Sequence, residues 1–165
     1  MPPSSSKNLR GDADQMRISI ACDHRGFSLK EDLKEFLSKE GLAIDDKGPS
    51  NEESVDYPDF ASLVARQVSE GLCDRGILIC STGIGMSIVA NKFPHVRAAL
   101  CPDVETAVQC RQHIDANVLV LAGSRIGSEE AKLIVKTWLE TPFQGGRHQR
   151  RLDKIAAFEK QLFKL

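Results

Sequence analysis

Gly76-Ile-Leu-Ile-Cys80-Ser-Thr-Gly-Ile-Gly85 is the stretch of this 165-residue chain that decides the fold. Its first half, Gly76–Cys80, is a short apolar run typical of a buried strand, and Ile84–Lys92 has the apolar spacing of a helix. A turn rich in Ser, Thr and Gly stands between them. The stretch therefore predicts a βα unit whose turn lies at the carboxyl end of a buried strand.

The same alternation continues on both sides of this unit. Short apolar runs predict further strands over 17–22, 42–44, 96–101 and 118–122, and amphipathic stretches predict further helices over 26–39, 59–70, 103–113, 128–140 and 148–163. Strands that alternate with helices are joined by right-handed crossovers into a parallel sheet. The chain is therefore predicted to be an α/β protein with a doubly wound parallel sheet of about five strands and a C-terminal helix.

The composition is that of one soluble globular domain. Hydrophobic residues make up 41% of the chain and charged residues 27%, and the formal net charge is −1. This charge predicts no attraction to nucleic acid or to an anionic membrane, and no apolar run approaches the roughly 20 residues that span a bilayer. Residues 1–15 are polar and lack a secretory signal, so we expect a disordered tail before a single domain over residues 16–165.

The cysteines argue against a disulfide framework and against a zinc site. They stand at positions 22, 73, 80, 101 and 110, an odd number without a CxxC pair. No cluster of His, Cys or carboxylate residues has the spacing of metal ligands, so we expect no metal. Unpaired thiols indicate a reducing compartment, and the cytoplasm is the simplest location.

The turn after Cys80 is a candidate anion site. Its glycines allow a ligand to approach the backbone, and the N–H groups at a helix start would stabilise a phosphate or an oxyanion. We expect the helix dipole to lower the thiol pKa of Cys80, which would suit a base or a nucleophile. A small buried cysteine that closes the strand is an equally good interpretation. The spacing fits neither the dinucleotide GxGxxG nor the P-loop pattern, which disfavours a nucleotide.

Other chemically active residues follow the predicted strands and helices. Asp23 and His24 could bind a sugar phosphate or transfer protons, although Asp23 would also serve as a helix cap. His113 stands near the carboxyl end of its helix, where a histidine is often structural. Arg147 and Arg151 share a helix face and could hold one phosphate, or they could form a solvated charged surface. A nucleic-acid patch is disfavoured because no aromatic residues are interleaved with these arginines.

Seven short motifs occur together in this chain. In order they are Ala21-Cys-Asp-His-Arg-Gly-Phe27, Asp56-Tyr-Pro58, Gly76–Gly85, Ala90-Asn-Lys92, Arg111-Gln-His113, Asn117-Val118 and Gly145-Gly-Arg-His-Gln149. With them the chain resembles the type B ribose-5-phosphate isomerases, within a wider group that includes galactose-6-phosphate and allose-6-phosphate isomerases. The resemblance runs from about Arg17 to the last helix. It is specific for the family and much less so for the substrate.

The resemblance implies a Rossmann-like, three-layer domain that acts as a cofactor-free aldose–ketose isomerase. It also implies a homodimer whose active sites are shared between subunits, and leaves open whether dimers pair into tetramers. Cys80 matches the base that moves a proton between the first two sugar carbons, Thr82 assists at the sugar oxygens, and His113 of the partner subunit opens the furanose ring. The remaining implied contacts are Ser81, Gly83, Ile84 and Gly85 for the enediolate, Asp23, His24 and Tyr57 for the substrate, and Arg125, Arg147 and Arg151 for the phosphate.

Ile114 departs from the family pattern. Members that act on ribose 5-phosphate commonly place Asn directly after the histidine matched by His113, and an amide could bind a sugar hydroxyl. Ribose 5-phosphate is the best single expectation, and allose 6-phosphate, galactose 6-phosphate or a tetrose phosphate are alternatives. A non-catalytic sugar-phosphate-binding protein is disfavoured because Cys80, Thr82 and His113 are all retained. A thiol-redox protein is disfavoured because the motif of Cys80 holds no resolving cysteine.

Overall fold

The computed structural model describes residues 15–164, and the predicted tail over residues 1–15 lies outside this range apart from Gln15. Within it, five strands and six helices follow the predicted order. The strands are Arg17–Cys22 (β1), Ala43–Asp46 (β2), Arg75–Cys80 (β3), Ala98–Leu100 (β4) and Val118–Ala122 (β5). The helices are Phe27–Lys39 (α1), Tyr57–Ser69 (α2), Ile84–Ala90 (α3), Val104–Ile114 (α4), Ser128–Glu140 (α5) and Arg147–Phe163 (α6), with a 3₁₀ turn over His24–Gly26.

The five strands form one parallel sheet in the order β2-β1-β3-β5-β4. The chain passes from β1 outward to β2 and then returns across the sheet to β3, so the direction of winding reverses between β1 and β3. In doubly wound sheets the crevice at this reversal, outside the carboxyl ends of the strands, binds ligands. Cys22 pairs with Ile79, which brings Asp23 and Cys80 to neighbouring strand ends.

Helices cover both faces of the sheet and give three layers. Helices α1, α4 and α5 pack on one face, and α2 and α3 pack on the other. The central strands are buried on both faces, as is usual for a parallel sheet. Along β3, Ile77 and Ile79 join the first core and Leu78 and Cys80 join the second. The predicted α/β three-layer fold is confirmed.

Most element boundaries differ from the predictions by one or two residues, and two of these differences have identifiable reasons. Helix α2 begins at Tyr57, earlier than predicted, because Pro58 is tolerated in the first turn, where its missing N–H has no helical partner. Strand β4 is shorter than predicted. The N–H of Arg97 donates to Oδ1 of Asn117 at 2.7 Å, so a side-chain oxygen takes the place of a backbone acceptor just before β4.

Helix α6 is amphipathic and largely exposed. Of its 17 residues only His148 and Leu152 are buried. Ile155, Phe158 and Leu162 are 44%, 64% and 76% exposed, and their spacing forms one apolar stripe along the helix. The chain therefore presents a contiguous apolar surface on its last helix. Across residues 15–164, the structure contains no helix with the length and apolar character needed to cross a membrane.

Candidate active site

Cys80 is the last residue of β3 and is enclosed by the turn that follows it. Its side chain is 5% exposed and belongs to the core beneath α2 and α3. The backbone N–H of Gly83 donates to Sγ of Cys80 at 3.1 Å. Gly83 has a φ of +73°, and a Cβ at this position would collide with Leu100, so only glycine fits here. The turn thereby folds its backbone N–H groups around the thiol.

Burial raises the pKa of the Cys80 thiol above its ordinary value. The backbone N–H groups of Gly83, Met86 and Thr82 lower the pKa in part, and the nearby Asp23 carboxylate raises it. The prediction of a lowered thiol pKa is therefore wrong in its net direction, because desolvation in the core outweighs the donors. The same donors are arranged to stabilise an oxyanion next to the sulfur.

Asp23 and His24 follow β1 at the neighbouring strand end. Oδ1 of Asp23 accepts hydrogen bonds from the N–H groups of Arg25 and Gly26, each at 3.0 Å, so the predicted cap exists and uses one carboxylate oxygen. Nδ1 of His24 accepts from the N–H of Val55 at 3.3 Å. A neutral imidazole that accepts at Nδ1 carries its proton on Nε2. His24 therefore offers an N–H donor on the side away from Val55.

Buried Lys30 anchors the loop that supplies the partner of His24. Lys30 is fully buried, and its Nζ donates to both carboxylate oxygens of Asp46, at 2.8 and 3.0 Å, and to the carbonyl of Pro49 at 2.7 Å. Lys30 was not among the site residues predicted from the sequence. The sequence did hold one indication that Lys30 is buried. It stands three residues before the core residue Leu33, and residues at this spacing share a helix face. This buried ammonium group ties the loop over residues 48–56 to the core.

Tyr57, at the start of α2, packs against the turn at Gly85. A Cβ on Gly85 would lie 2.5 Å from Cζ and 2.9 Å from the hydroxyl oxygen of Tyr57. The ring therefore occupies the space that any side chain at position 85 would need. Because Tyr57 is 41% exposed, it is accessible to a ligand in the crevice. The structure thus brings Tyr57 to the turn that encloses Cys80.

The residues after β5 complete the carboxyl edge of the site. The N–H of Gly123 donates to the carbonyl of Cys80 at 2.7 Å, and the N–H of Ser124 donates to the carbonyl of Ser81 at 3.2 Å. Arg125 follows directly and is exposed. The site residues that the structure brings to this edge are Asp23, His24, Tyr57, Cys80, Ser81, Thr82, Gly83, Ile84, Gly85 and Arg125.

His113, Arg147 and Arg151 lie at the opposite edge of the sheet. Helix α4 begins at the carboxyl end of β4 and runs back, so its last turn stands near Asn117, just before β5 begins. The ring of His148, in the first turn of α6, stacks on His113 with centroids 4.4 Å apart and 13° between the planes. Burial lowers the pKa of His148, and the charges of His113, Arg147 and Arg151 lower it further.

The residues at the carboxyl ends of the strands and the group of His113, Arg147 and Arg151 do not meet within the chain. In residues 15–164, no hydrogen bond or ion pair joins the carboxyl-edge group to His113, Arg147 or Arg151. Helix α4 has 11 residues and so separates the two edges by about 16 Å. In a single protomer, His113 therefore does not line the crevice that contains Cys80.

His148 is a candidate that our sequence analysis missed, although it stands between two named arginines. It is 5% exposed, and its Nε2 has no hydrogen-bond partner among the described residues. Its burial could have been predicted from Leu152, an apolar residue four positions later, because residues at this spacing share a helix face. His148 therefore faces the protein, whereas the two arginines face outward.

The chemical groups at the carboxyl edge suit proton transfer next to a stabilised negative charge. They are a thiol, a hydroxyl, an imidazole and several backbone N–H donors. Among residues 15–164, no group of three or more His, Cys, Asp or Glu side chains is placed to hold a metal ion. All five cysteines are free; Cys101 and Cys110 approach each other to 3.6 Å in the core on the other face of the sheet from Cys80.

The chain is similar to known proteins over most of its length. The model of the family described as Ribose/Galactose Isomerase matches residues 18–155. Ribose-5-phosphate isomerase B of Escherichia coli (strain K12) is 46% identical over 145 residues, which cover 88% of this chain and 97% of that protein. The structure of Clostridium thermocellum ribose-5-phosphate isomerase B has 49% identity and a TM-score of 0.87, covering 89% of this chain and 99% of that chain. The structure of ribose-5-phosphate isomerase B from Mycoplasma genitalium with bound ribulose-5-phosphate has 45% identity and a TM-score of 0.85, and the match covers 88% of this chain and 97% of that chain.

Proposed function

This chain belongs to the ribose/galactose isomerase family, and we propose that, as a sugar-phosphate isomerase, it interconverts ribose 5-phosphate and ribulose 5-phosphate. The observation that carries this proposal is the Cys80 thiol at the end of β3, enclosed by the N–H donors of the following turn. Aldose–ketose exchange needs a base, proton transfer at the sugar oxygens and stabilisation of an oxyanion. It needs no hydride carrier, so we propose a cofactor-free reaction. The free cysteines support a cytoplasmic location.

In the proposed mechanism, the Cys80 thiolate removes the proton from C2 of the open-chain aldose. The electron pair moves onto the carbonyl oxygen and forms an enediolate, which the backbone N–H groups of residues 81–85 stabilise. The Thr82 hydroxyl transfers a proton between the two sugar oxygens, and Cys80 returns its proton to C1. Burial raises the pKa of the Cys80 thiol in the single chain, so this mechanism requires the substrate-bound site to favour the thiolate.

The phosphate and the sugar ring need residues from both groups described above. We propose that Asp23, His24 and Tyr57 contact the substrate next to Cys80. The phosphate would be bound by Arg125, Arg147 and Arg151, and His113 would open the furanose ring. In one protomer, His113, Arg147 and Arg151 lie at the far edge of the sheet, so this assignment requires a second subunit.

We propose a homodimer in which each active site takes residues from both chains. The apolar stripe of Ile155, Phe158 and Leu162 supports this, because α6 also begins with the two arginines of the proposed phosphate site. A second copy that covers the stripe would remove this apolar surface from water and would carry its own α6 residues toward the partner. A tetramer would consist of two such dimers.

The choice of sugar depends on Ile114, the last residue of α4. Its side chain is 43% exposed and lines a groove together with Ile155 and Phe158 of the apolar stripe. In the proposed dimer it would lie close to the partner's site, at the position where the family pattern described in the sequence analysis implies an amide. Allose 6-phosphate, galactose 6-phosphate or a tetrose phosphate is therefore the second candidate class of substrate.

A panel of aldose phosphates tests the function. Ketose formation would be measured with ribose 5-phosphate, allose 6-phosphate, galactose 6-phosphate and erythrose 4-phosphate. Cys80→Ala should lower kcat at least about a hundredfold, because general-base catalysis contributes about 10²–10⁴-fold. Cys73→Ala is the matched control, since Cys73 is also a buried free cysteine but lies outside the site. A preference for another sugar phosphate would overturn the assignment of ribose 5-phosphate as the substrate. If no sugar phosphate in the panel yields a ketose, the proposed isomerase activity is wrong.

Complementation between two inactive variants tests the shared site. Cys80→Ala and His113→Ala chains would be refolded together, with different tags to confirm that hybrids form. Random pairing makes half of the dimers hybrid, each with one intact site, so roughly a quarter of the wild-type activity should return. A mixture of Cys80→Ala and Thr82→Ala is the control, because both residues lie on the same turn and every hybrid site keeps a lesion. Confirmed hybrids of the first pair without activity would exclude the shared site.

A further inference from the structure

Ser124, which follows β5, forms two hydrogen bonds to the carbonyl group of Ser81 in the turn after β3. The N–H of Ser124 donates to this carbonyl at 3.2 Å, and its Oγ donates to the same oxygen at 2.5 Å. The Ser81 hydroxyl in turn donates to Oγ of Ser124 at 3.1 Å. The preceding carbonyl, that of Cys80, accepts from the N–H of Gly123 at 2.7 Å. The residues after β5 therefore bind two successive carbonyl groups of the turn.

The orientation of the Ser81 carbonyl determines where the next N–H points. The carbonyl of Ser81 and the N–H of Thr82 belong to one planar trans peptide, so they face in opposite directions. With its carbonyl held by Ser124, this peptide turns its N–H to the opposite side, and the Thr82 N–H is one of the backbone groups that lower the pKa of the Cys80 thiol, next to the N–H of Gly83, which donates to Sγ at 3.1 Å. The reverse orientation would place a carbonyl oxygen next to the developing oxyanion, which would repel it.

We propose that Ser124 is a positioning residue that fixes the Ser81–Thr82 peptide with its N–H toward the enediolate. This inference rests on the isomerase function proposed above. Ser124 would not contact the reacting atoms. It would act through the Ser81–Thr82 peptide. Without its hydroxyl, the carbonyl would keep only the longer bond from the Ser124 N–H, and the turn would lose the paired hydroxyl of Ser81.

Kinetics of Ser124 variants test this role. Ser124→Ala should lower kcat about tenfold and leave KM within about twofold, because an oxyanion donor acts mainly on the transition state. Ser124→Thr keeps the hydroxyl and should restore kcat. Ser62→Ala is the matched control, since Ser62 also donates its hydroxyl to a backbone carbonyl, that of Asp59 at 2.8 Å, but in α2. All variants should melt within about 3 °C of the wild type, because these side chains are at least partly exposed.

Alkylation of Cys80 provides a readout that does not depend on turnover. The rate of modification by iodoacetamide would be followed against pH, with the modified peptide identified by mass spectrometry. Loss of the Thr82 donor should move the Cys80 profile to higher pH in Ser124→Ala and leave it unchanged in Ser62→Ala.

Two results would overturn the role of Ser124. One is a Ser124→Ala enzyme with the wild-type kcat and the wild-type alkylation profile. The other is a Ser124→Thr enzyme as impaired as Ser124→Ala, because the hydroxyl would then have no special part. If the wild type forms no ketose from any sugar phosphate, the proposed function fails, and the alkylation profile still decides whether Ser124 orients the peptide.

Discussion

Replacing Gly85 by Ala would place a methyl group in the space that the Tyr57 ring occupies. The new Cβ would lie 2.5 Å from Cζ of Tyr57. Since carbon atoms pack at about 3.5–4.0 Å, the ring must move by about 1 Å. Tyr57 is 41% exposed and can move outward, and the first turn of α3, where Gly85 stands, accepts Ala without a backbone penalty. We therefore expect Gly85→Ala to fold with a melting temperature close to that of the wild type.

The expected defect of Gly85→Ala is functional. A displacement of about 1 Å at a residue that positions the substrate can lower kcat/KM about ten- to a hundredfold. Initial rates of ketose formation from ribose 5-phosphate would measure this loss. Gly127→Ala is the control, because a Cβ at Gly127 would meet nothing within 4 Å and the φ of Gly127 is −80°. This control should keep the wild-type kcat/KM.

A double-mutant cycle decides whether the defect arises through Tyr57. If the methyl group acts by displacing the ring, Gly85→Ala should cost nothing further in a Tyr57→Ala background. Losses that multiply in the double variant would refute this reasoning. So would a Gly85→Ala enzyme with the kcat/KM of the wild type, because the ring would then have no part in binding the substrate.

Three further predictions concern substrate choice, acid stability and metals. Ile114→Asn should raise kcat/KM for ribose 5-phosphate several-fold relative to other sugars, since a bond to a neutral hydroxyl is worth ~1 kcal/mol; an unchanged substrate ranking would exclude this role. Burial raises the pKa of Asp46, but hydrogen bonds from Lys30 and Lys34 outweigh it and lower that pKa below 3.8. The contribution of the Asp46 carboxylate to stability is therefore present at neutral pH and lost in acid. At pH 7 the melting temperature of Asp46→Asn should lie below that of the wild type, and this difference should close as the pH drops below 3.8. A difference that does not change with pH would contradict this prediction. Activity should survive exhaustive treatment with EDTA, and a loss restored by a divalent cation would contradict the metal-free mechanism.

The order and type of the elements followed from the sequence alone, because apolar periodicity and the placement of Gly and Pro are local signals. The bounds of β1, β5 and α5 are the predicted ones. The predicted strand over 96–101 is present but shorter, because the N–H of Arg97 donates to the side chain of Asn117, a residue distant in sequence. The candidate residues at the strand ends could also be named, since a parallel sheet directs its binding crevice to that edge.

Only the tertiary structure decided which of these residues meet and in what state. The pairing of β3 with β5 brings Ser124 to Ser81, and the burial of β3 reverses the expected shift in the pKa of Cys80. The direction of α4 separates His113 from Cys80 and stacks it on His148. These features depend on the order of the strands and on desolvation by neighbouring layers. Both arise from contacts between residues far apart in the chain, which no local pattern in the sequence encodes.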